Sequence, residues 1–466
     1  MRILVAIANY GTRNDHLLAK LLAEYRSMPH KVDICVLSNL SKDLGPGIEV
    51  KVGLPTKDPW SLPFGHKQIF RDRLQDYDLF IYSEDDILIT QRNITAFLSA
   101  TAILKEDEIA GFLRSEAASD GKLYFCDAFD NWHWNPASVI SRGPYQCAFF
   151  TNEHAACYIL TQAQLKRAIA SGGFLVAPHE EKYDLLCAAA TDPYTQCGMT
   201  KLICISHFDD FLVSHLSNKY IGQVSLEESE FRLQIKALME ISQEKRPRTQ
   251  LMETETLLRY VRWSKSYYEP CRPELQELIP DGPSRVLSIG CGSGAMEACL
   301  AKKGHRVISA PLDSVISACV ENKSLVTVLG DLKEVLQRLE GESFDYVLLS
   351  NLLHLVKDPA DFLSGFTHLL SKNSKVIAVV PNLSRLSVKW RRTKAKSGLK
   401  GLASYKQGHV HLTSRKMIKD WFKKAGMSVE SITDILPVRL SRPSTLTLDL
   451  ISPLLASEFI AVARKN

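Results

Sequence analysis

The sequence predicts a two-domain α/β protein, and three observations carry that expectation. Apolar strand-like runs alternate with helical patterns from the first residues, as in Arg2–Ala8, Asp15–Tyr25 and Val32–Ser38. A second series of this kind begins only at residue 285, where an apolar run enters three alternating glycines in Val286–Gly294 (VLSIGCGSG). The chain of 466 residues is longer than one core usually fills, so the two series read as separate domains.

Element by element, the first series gives the strand Arg2–Ala8, the helix Asp15–Tyr25 and the strand Val32–Ser38. Turn-rich residues 44–63 follow, then a helix over His66–Gln75 and a strand over Leu79–Ser83. Residues 1–224 form the first expected domain. Residues 225–270 are charged and helix-favouring, and Pro270, Pro273, Pro280 and Pro283 punctuate their end, so they read as a helical connector. Residues 271–466 form the second domain. Its expected strands are the run into Val286–Gly294, Arg306–Ala310, Val326–Leu329, Phe344–Ser350 and Lys375–Val380, with a helix over Ala295–Lys302.

Composition excludes several classes. Hydrophobic content of 45% and charged content of 23% are those of a globular chain, not of a disordered or fibrous one. The apolar run at residues 3–8 is too short for a secretion signal, and no run is long enough to span a bilayer. The eleven cysteines are scattered without a CxxC pair, so structural zinc is not expected and free thiols in a reducing cytoplasm are. From Cys271 onward 28 Lys and Arg face 18 Asp and Glu, whereas the residues before it are net acidic. Much of the basic excess lies in Arg385–Lys400 (RLSVKWRRTKAKSGLK), which has seven basic residues and no acid. Such a segment is either a solvated loop or a contact for an anionic acceptor or the inner face of a membrane. Without interleaved aromatics it gives nucleic acid little support as a partner.

The glycine turn is the first chemical signal. Glycines at a strand end let backbone approach a nucleotide-bearing ligand where side chains would block it. Gly290-x-Gly292-x-x-Ala295 also satisfies the dinucleotide fingerprint, with Asp313 near the expected ribose position. The downstream text decides between the two. FDYVLLSNLLHLVKDP and the later HVHLTSRKMIKDWFKKAGM make the second domain similar to the class I S-adenosylmethionine-dependent methyltransferases of the type 11/12 kind. That resemblance implies a Rossmann-like seven-stranded fold. It implies S-adenosylmethionine held by Ser288, Gly290, Gly292 and Gly294, with adenine beside Asp331 and Leu332. Asp313 would be the ribose carboxylate, and Asn351 and His354 would lie near the transferred methyl group, His354 as a general base. The sequence departs from the family at two places. Ser288 stands where an acid is common, and Pro311 follows the second strand where another acid is usual.

The second signal is Leu79–Ile89 (LFIYSEDDILI), an apolar strand ending in Glu84, Asp85 and Asp86. Three crowded carboxylates repel one another, and a divalent cation bridging a diphosphate would offset that repulsion. With MRILVAIANYGTRNDHLLAKLL and GHKQIFRDRLQDYDLFIYSEDDI, the first domain resembles the GT-A glycosyltransferases. The resemblance implies a mixed sheet and a nucleotide-sugar donor contacted by Asn9, Tyr10, Arg13, Gly65 and Lys67. It implies a manganese or magnesium ion on Asp86, with Asp85 and Glu84 beside it. A later histidine would complete the metal set, His215 ahead of His207, and Glu181 or Asp184 would serve as base for an inverting transfer.

Together these readings describe a bifunctional carbohydrate-modifying enzyme. One domain would transfer a sugar from a nucleotide-sugar to a glycan or lipid-linked glycan, and the other would methylate a glycan-related acceptor. Two alternatives stand beside it: a methyltransferase with a non-catalytic glycan-binding first domain, and a scaffold whose methyltransferase domain has decayed.

Overall fold

A computed structural model describes residues 1–393, 399, 402, 404–437 and 452–466. The chain divides into two compact units, Met1–Lys245 and Arg246–Asn466.

In the first unit the strand Arg2–Asn9 is buried along nearly its whole length, as an apolar run covered on both faces must be. It lies at the centre of a five-stranded sheet. Lys31–Ser38 and Ile48–Val52 follow on one side, and Leu79–Glu84 then Cys157–Thr161 on the other. All pairings are parallel except that of Cys157–Thr161 with Leu79–Glu84. The helix Asp15–Ser27 packs through Leu17, Leu18, Leu21, Leu22 and Tyr25, the spacing of one helical face. A second five-stranded sheet runs in the order Leu226–Glu227, Leu123–Phe125, Leu113–Ala117, Leu212–His215 and Ile87–Leu88. His215 pairs with Ile87 there, and Leu216 donates its N–H to the carbonyl of Asp86 at 2.8 Å. A third, four-stranded sheet holds Thr200–Cys204 between Glu108–Ala110 and Tyr145–Ala148.

The helix Glu228–Ser242 belongs to the first unit, and its buried Phe231 stacks on Phe125 and Phe208 with ring centroids 4.3 Å and 5.6 Å apart. Residues from Arg246 belong to the second unit: Leu251 bonds to the Leu312 carbonyl, and Gln250 bridges to Asp313.

The second unit is one seven-stranded sheet. Its order is Val326–Thr327, Arg306–Pro311, Arg285–Cys291, Phe344–Ser350, Leu370–Pro381, Glu458–Lys465 and Met427–Ile435. The first five strands are mutually parallel, and Glu458–Lys465 runs against both of its neighbours. Chain order reverses direction at Arg285–Cys291, which places the glycine turn at the switch point where such sheets bind ligands. The sulfurs of Cys271 and Cys299 are joined in a disulfide, with Cα atoms 6.5 Å apart, so the expectation of free thiols throughout does not hold for this pair. The other nine cysteines are free. No described helix is long and apolar enough to cross a membrane.

Candidate functional site

In the first unit the strand Leu79–Glu84 carries its three acids to one edge of the sheet, and each meets a different environment. Asp85 accepts from the side-chain amides of Asn9 and Asn14, both at 2.7 Å. Burial raises its pKa even against those two bonds. Glu84 is half-buried, its buried Oε1 has no hydrogen-bond partner, and desolvation, then the charge of Asp86, push its pKa up to about 8. Asp86 Oδ2 faces His215 Nε2 at 3.1 Å. Burial alone would raise Asp86, but the bond and charge of His215 and the charge of Lys219 bring it below the usual carboxylate value.

His215 is 2% exposed and arrives from a strand 129 residues later. Behind it Glu116 Oε1 holds the Nδ1 edge at 2.6 Å, and Tyr220 stacks on the ring at 5.4 Å. Glu116 Oε1, Cys126 Sγ and His215 Nδ1 lie within 4.8 Å of one another. Glu116 uses that edge of the ring, and the Nε2 edge faces both Asp86 and Ser217 Oγ, the latter at 2.9 Å. A carboxylate that orients a ligating imidazole is the usual second support of a metal site. Asp86 Oδ2 and His215 Nε2 are bonded to each other, and the buried Glu84 Oε1 has no hydrogen-bond partner.

The structure separates the other expected donor and catalytic residues. Asn9 is drawn to the cluster through Asp85, while Tyr10 and Arg13 stand exposed on the loop that follows it. Lys67 is not available to a diphosphate: it is 2% exposed and its ammonium is bound to the fully buried Asp192. Gly65 opens the helix Gly65–Asp72, and a Cβ there would meet the Leu37 side chain at 3.3 Å, so packing accounts for it. Glu181 accepts from Gln196 at 3.0 Å on the surface, away from the cluster. Asp184 caps the helix Leu185–Thr195 by accepting from Cys187 N–H at 2.9 Å. The Cys187 thiol is raised by burial and then by Asp184 and Glu84, which puts that helix end, unlike Glu181, within electrostatic reach of the acidic strand end. His207 bonds to Ser206 and packs on Tyr145 instead of joining the metal set. Asn14, Glu116 and Lys219 were not anticipated. Asn14 alone had a local signal, its place in the loop after the first strand.

In the second unit the glycine turn is shaped by close approach. Gly290 and Gly294 adopt φ of 76° and 83°, and a Cβ on Gly292 would lie 2.1 Å from the Tyr267 carbonyl oxygen. That carbonyl accepts the Ser293 N–H at 2.8 Å. Ser288 Oγ donates to Glu297 Oε1 at 2.6 Å, and Glu297 is 4% exposed with its pKa raised by burial. The carboxylate missing from the strand thus comes from the first turn of the following helix. Glu297 feels the charges of the buried Lys265 and the half-buried Glu269, which form an ion pair, and Asn351 Nδ2 donates to Glu269 Oε1 at 3.0 Å. Ser288, Glu297, Lys265, Glu269 and Asn351 are therefore one polar cluster beside the turn, and the residues from before position 271 in it carried no sequence signal.

Burial and local bonds define the surroundings of the other expected residues of this unit. Asp313 Oδ1 caps a turn, accepting the N–H groups of Val315 and Ile316 at 2.7 and 2.8 Å, and its Oδ2 is buried without a hydrogen-bond partner. It is 2% exposed, and burial pushes its pKa up to about 6. Pro311, paired with Cys291, occupies the end of the strand where the acid would stand. His354 is 1% exposed, its Nε2 bonds to the Trp263 carbonyl at 2.8 Å, and burial lowers its pKa to about 4; it is a neutral packing group, not a poised base. Asp331 caps the helix Leu332–Arg338 in a capping box with Glu334. It also lines, with Leu332, Leu251, Leu336 and Phe362, a groove of about 650 Å³.

Residues 262–432 match the family model described as a methyltransferase domain. None of the curated proteins matches the chain. Among solved structures the chain is similar to a SAM-dependent methyltransferase from Archaeoglobus fulgidus at 19% identity, over 41% of this chain and 91% of that one, with a TM-score of 0.32. An S-adenosylmethionine-dependent methyltransferase from Mesorhizobium loti shares 16% identity over 41% and 96% of the two chains, with a TM-score of 0.31. Likenesses at these scores carry no argument about substrate or residue roles. Residues 262–432 of the second unit are thus similar to a methyltransferase domain.

Proposed function

We propose that the chain is a bifunctional enzyme of carbohydrate modification. The first unit transfers a sugar from a nucleotide-sugar with the help of a manganese or magnesium ion, and the second methylates a glycan or lipid-linked glycan. The observation that carries the first half is the 3.1 Å approach of His215 Nε2 to Asp86 Oδ2, backed by Glu116. Such a cation would neutralise charge developing on a diphosphate leaving group. Asn9 and Asn14 hold Asp85 rigidly, so the acidic strand end is preorganised before any ligand binds. In the second unit S-adenosylmethionine would supply an electrophilic methyl group, and the chain's task is positioning the donor and excluding water. The buried Glu297–Ser288 pair and the part-buried Lys265–Glu269 pair suit the ammonium and carboxylate of an amino-acid moiety.

One observation favours a second reading for that unit, donor binding with little turnover. It is supported by the burial of His354, which lowers its pKa to about 4, and by the use of Asp313 Oδ1 as a turn cap. Nucleotide-sugar hydrolysis tests the first half: it should require manganese or magnesium and fall at least about a hundredfold in Asp86→Ala, the scale of losing a metal ligand or its orienting partner. Metal-independent hydrolysis, or full activity in the variant, would overturn it.

A further inference from the structure

The helix Leu386–Thr393 is fixed to the second unit by one face and leaves an unusual pair on the other. Val388 is 2% exposed and packs with Leu258, Leu383 and Val410. Leu386 and Trp390, one helical turn apart, are 49% and 60% exposed. Large apolar side chains displayed side by side in this way ordinarily mark a contact surface.

The charge around them narrows the partner. Arg385, Lys389 and Arg391 flank the pair, and the sequence has no acidic residue from 385 to 400. Residues 394–398 and 400 continue the basic run but lie outside the described residues and are not part of the surface. Arg385 and Arg262 are both lowered first by partial burial and next by the charge of Arg391, so three guanidinium groups share one neighbourhood. Arg259 and Arg262 each place Cζ 5.2 Å from the Tyr260 ring, which adds Arg259 as a fourth cation. The acid felt by Arg385 is Glu458, which is already bonded to Arg272 at 2.9 Å.

We propose that this face, with Arg385, Leu386, Lys389, Trp390 and Arg391 at its centre, docks on an anionic lipid surface. A tryptophan and a leucine rimmed by Lys and Arg match a bilayer interface, where the indole and the aliphatic chain enter the headgroup layer and the cations meet lipid phosphates. Nucleic acid offers the same charge but no apolar layer for Leu386. The inference goes beyond the proposed activities and stands independently of either one.

The test is co-sedimentation of the full chain with vesicles of phosphatidylcholine alone or mixed with phosphatidylglycerol, at low and high salt, with duplex DNA as a competing polyanion. Binding is expected only with the anionic vesicles, and it should weaken as salt rises. Lys389→Gln with Arg391→Gln should lower partition by about twenty-five-fold, roughly fivefold for each cation removed. Leu386→Ser with Trp390→Ser should lower it by about tenfold or more. Thermal midpoints establish that the variants are folded, and the charge pair decides the matter if the apolar pair is not. Failure of the wild-type chain to sediment with anionic vesicles, sedimentation unaffected by the charge pair, or binding to DNA but not to vesicles would overturn the proposal.

Discussion

Replacing Asp313 with asparagine should make the second unit more stable at neutral pH, although it removes a charge from a residue that caps a turn. Asp313 is buried, and burial outweighs the two N–H bonds it accepts, pushing its pKa from an ordinary 3.8 up to about 6. A raised folded-state value means that the proton is held more tightly in the native chain than in the unfolded one. The contribution is complete below about pH 4 and is lost as pH rises through 6. A shift of about two units corresponds to about 3 kcal/mol as an upper limit. Asparagine keeps the Oδ1 acceptor for Val315 and Ile316 and has nothing to ionise. Scanning calorimetry of the full chain should therefore show the transition of the second unit raised by about 5–10 °C in Asp313→Asn at pH 7.5. The difference should vanish near pH 4, and the affinity for S-adenosylmethionine should stay within about twofold. A variant that is destabilised equally at both pH values, or that loses donor affinity at least tenfold, would refute the assignment of Asp313 as a buried cap and restore it as a ribose ligand.

Three further outcomes follow from the same geometry. Lys67→Met leaves Asp192, which is fully buried, with only His179 at 3.0 Å, and should cost about 3–5 kcal/mol in urea denaturation, much of it recovered in Lys67→Met/Asp192→Leu. Gly292→Ala forces a methyl group to within 2.1 Å of the Tyr267 carbonyl, so calorimetric titration should find donor binding lost while the transition of the first unit is unchanged. His354, depressed to about 4, contributes stability that is present above its unfolded value near 6.5 and is lost as pH falls toward 4. His354→Gln should flatten that part of the curve of thermal midpoint against pH, and an unchanged acid slope would place the titration elsewhere.

What could be read in the sequence depended on how burial is distributed along each element. Arg285–Cys291 and Phe344–Ser350 are apolar runs covered on both faces, and such runs announce themselves. Ile48–Val52 is an edge strand with three exposed positions, and its alternating charges looked like a turn-rich loop. Glu228–Ser242 has a charged outer face that suggested a connector, yet Phe231, Ile235, Leu238 and Ile241 recur with helical spacing and bury it in the first unit. The site followed the same division. Asp86 and the glycines lie where strands end, so their positions are local facts. Glu116 hides in LRSEA, a short strand whose polar residues are buried, and it meets His215 only because Leu113–Ala117 pairs with Leu212–His215. Glu297 looked like an ordinary first-turn acid of a helix, and its bond to Ser288 is set by how that helix leaves the strand. Lys67, Asp313 and His354 are all buried, and periodicity does not say which polar side chains the fold buries.

The most direct measurement is calorimetric titration of one sample of the full chain with two ligands in turn. S-adenosylmethionine comes first, and then a nucleoside diphosphate in the presence of manganese. The account predicts two saturable events near one-to-one stoichiometry, the first retained and the second lost in Asp86→Ala. Absence of S-adenosylmethionine binding, or nucleotide binding indifferent to both manganese and Asp86, would contradict it.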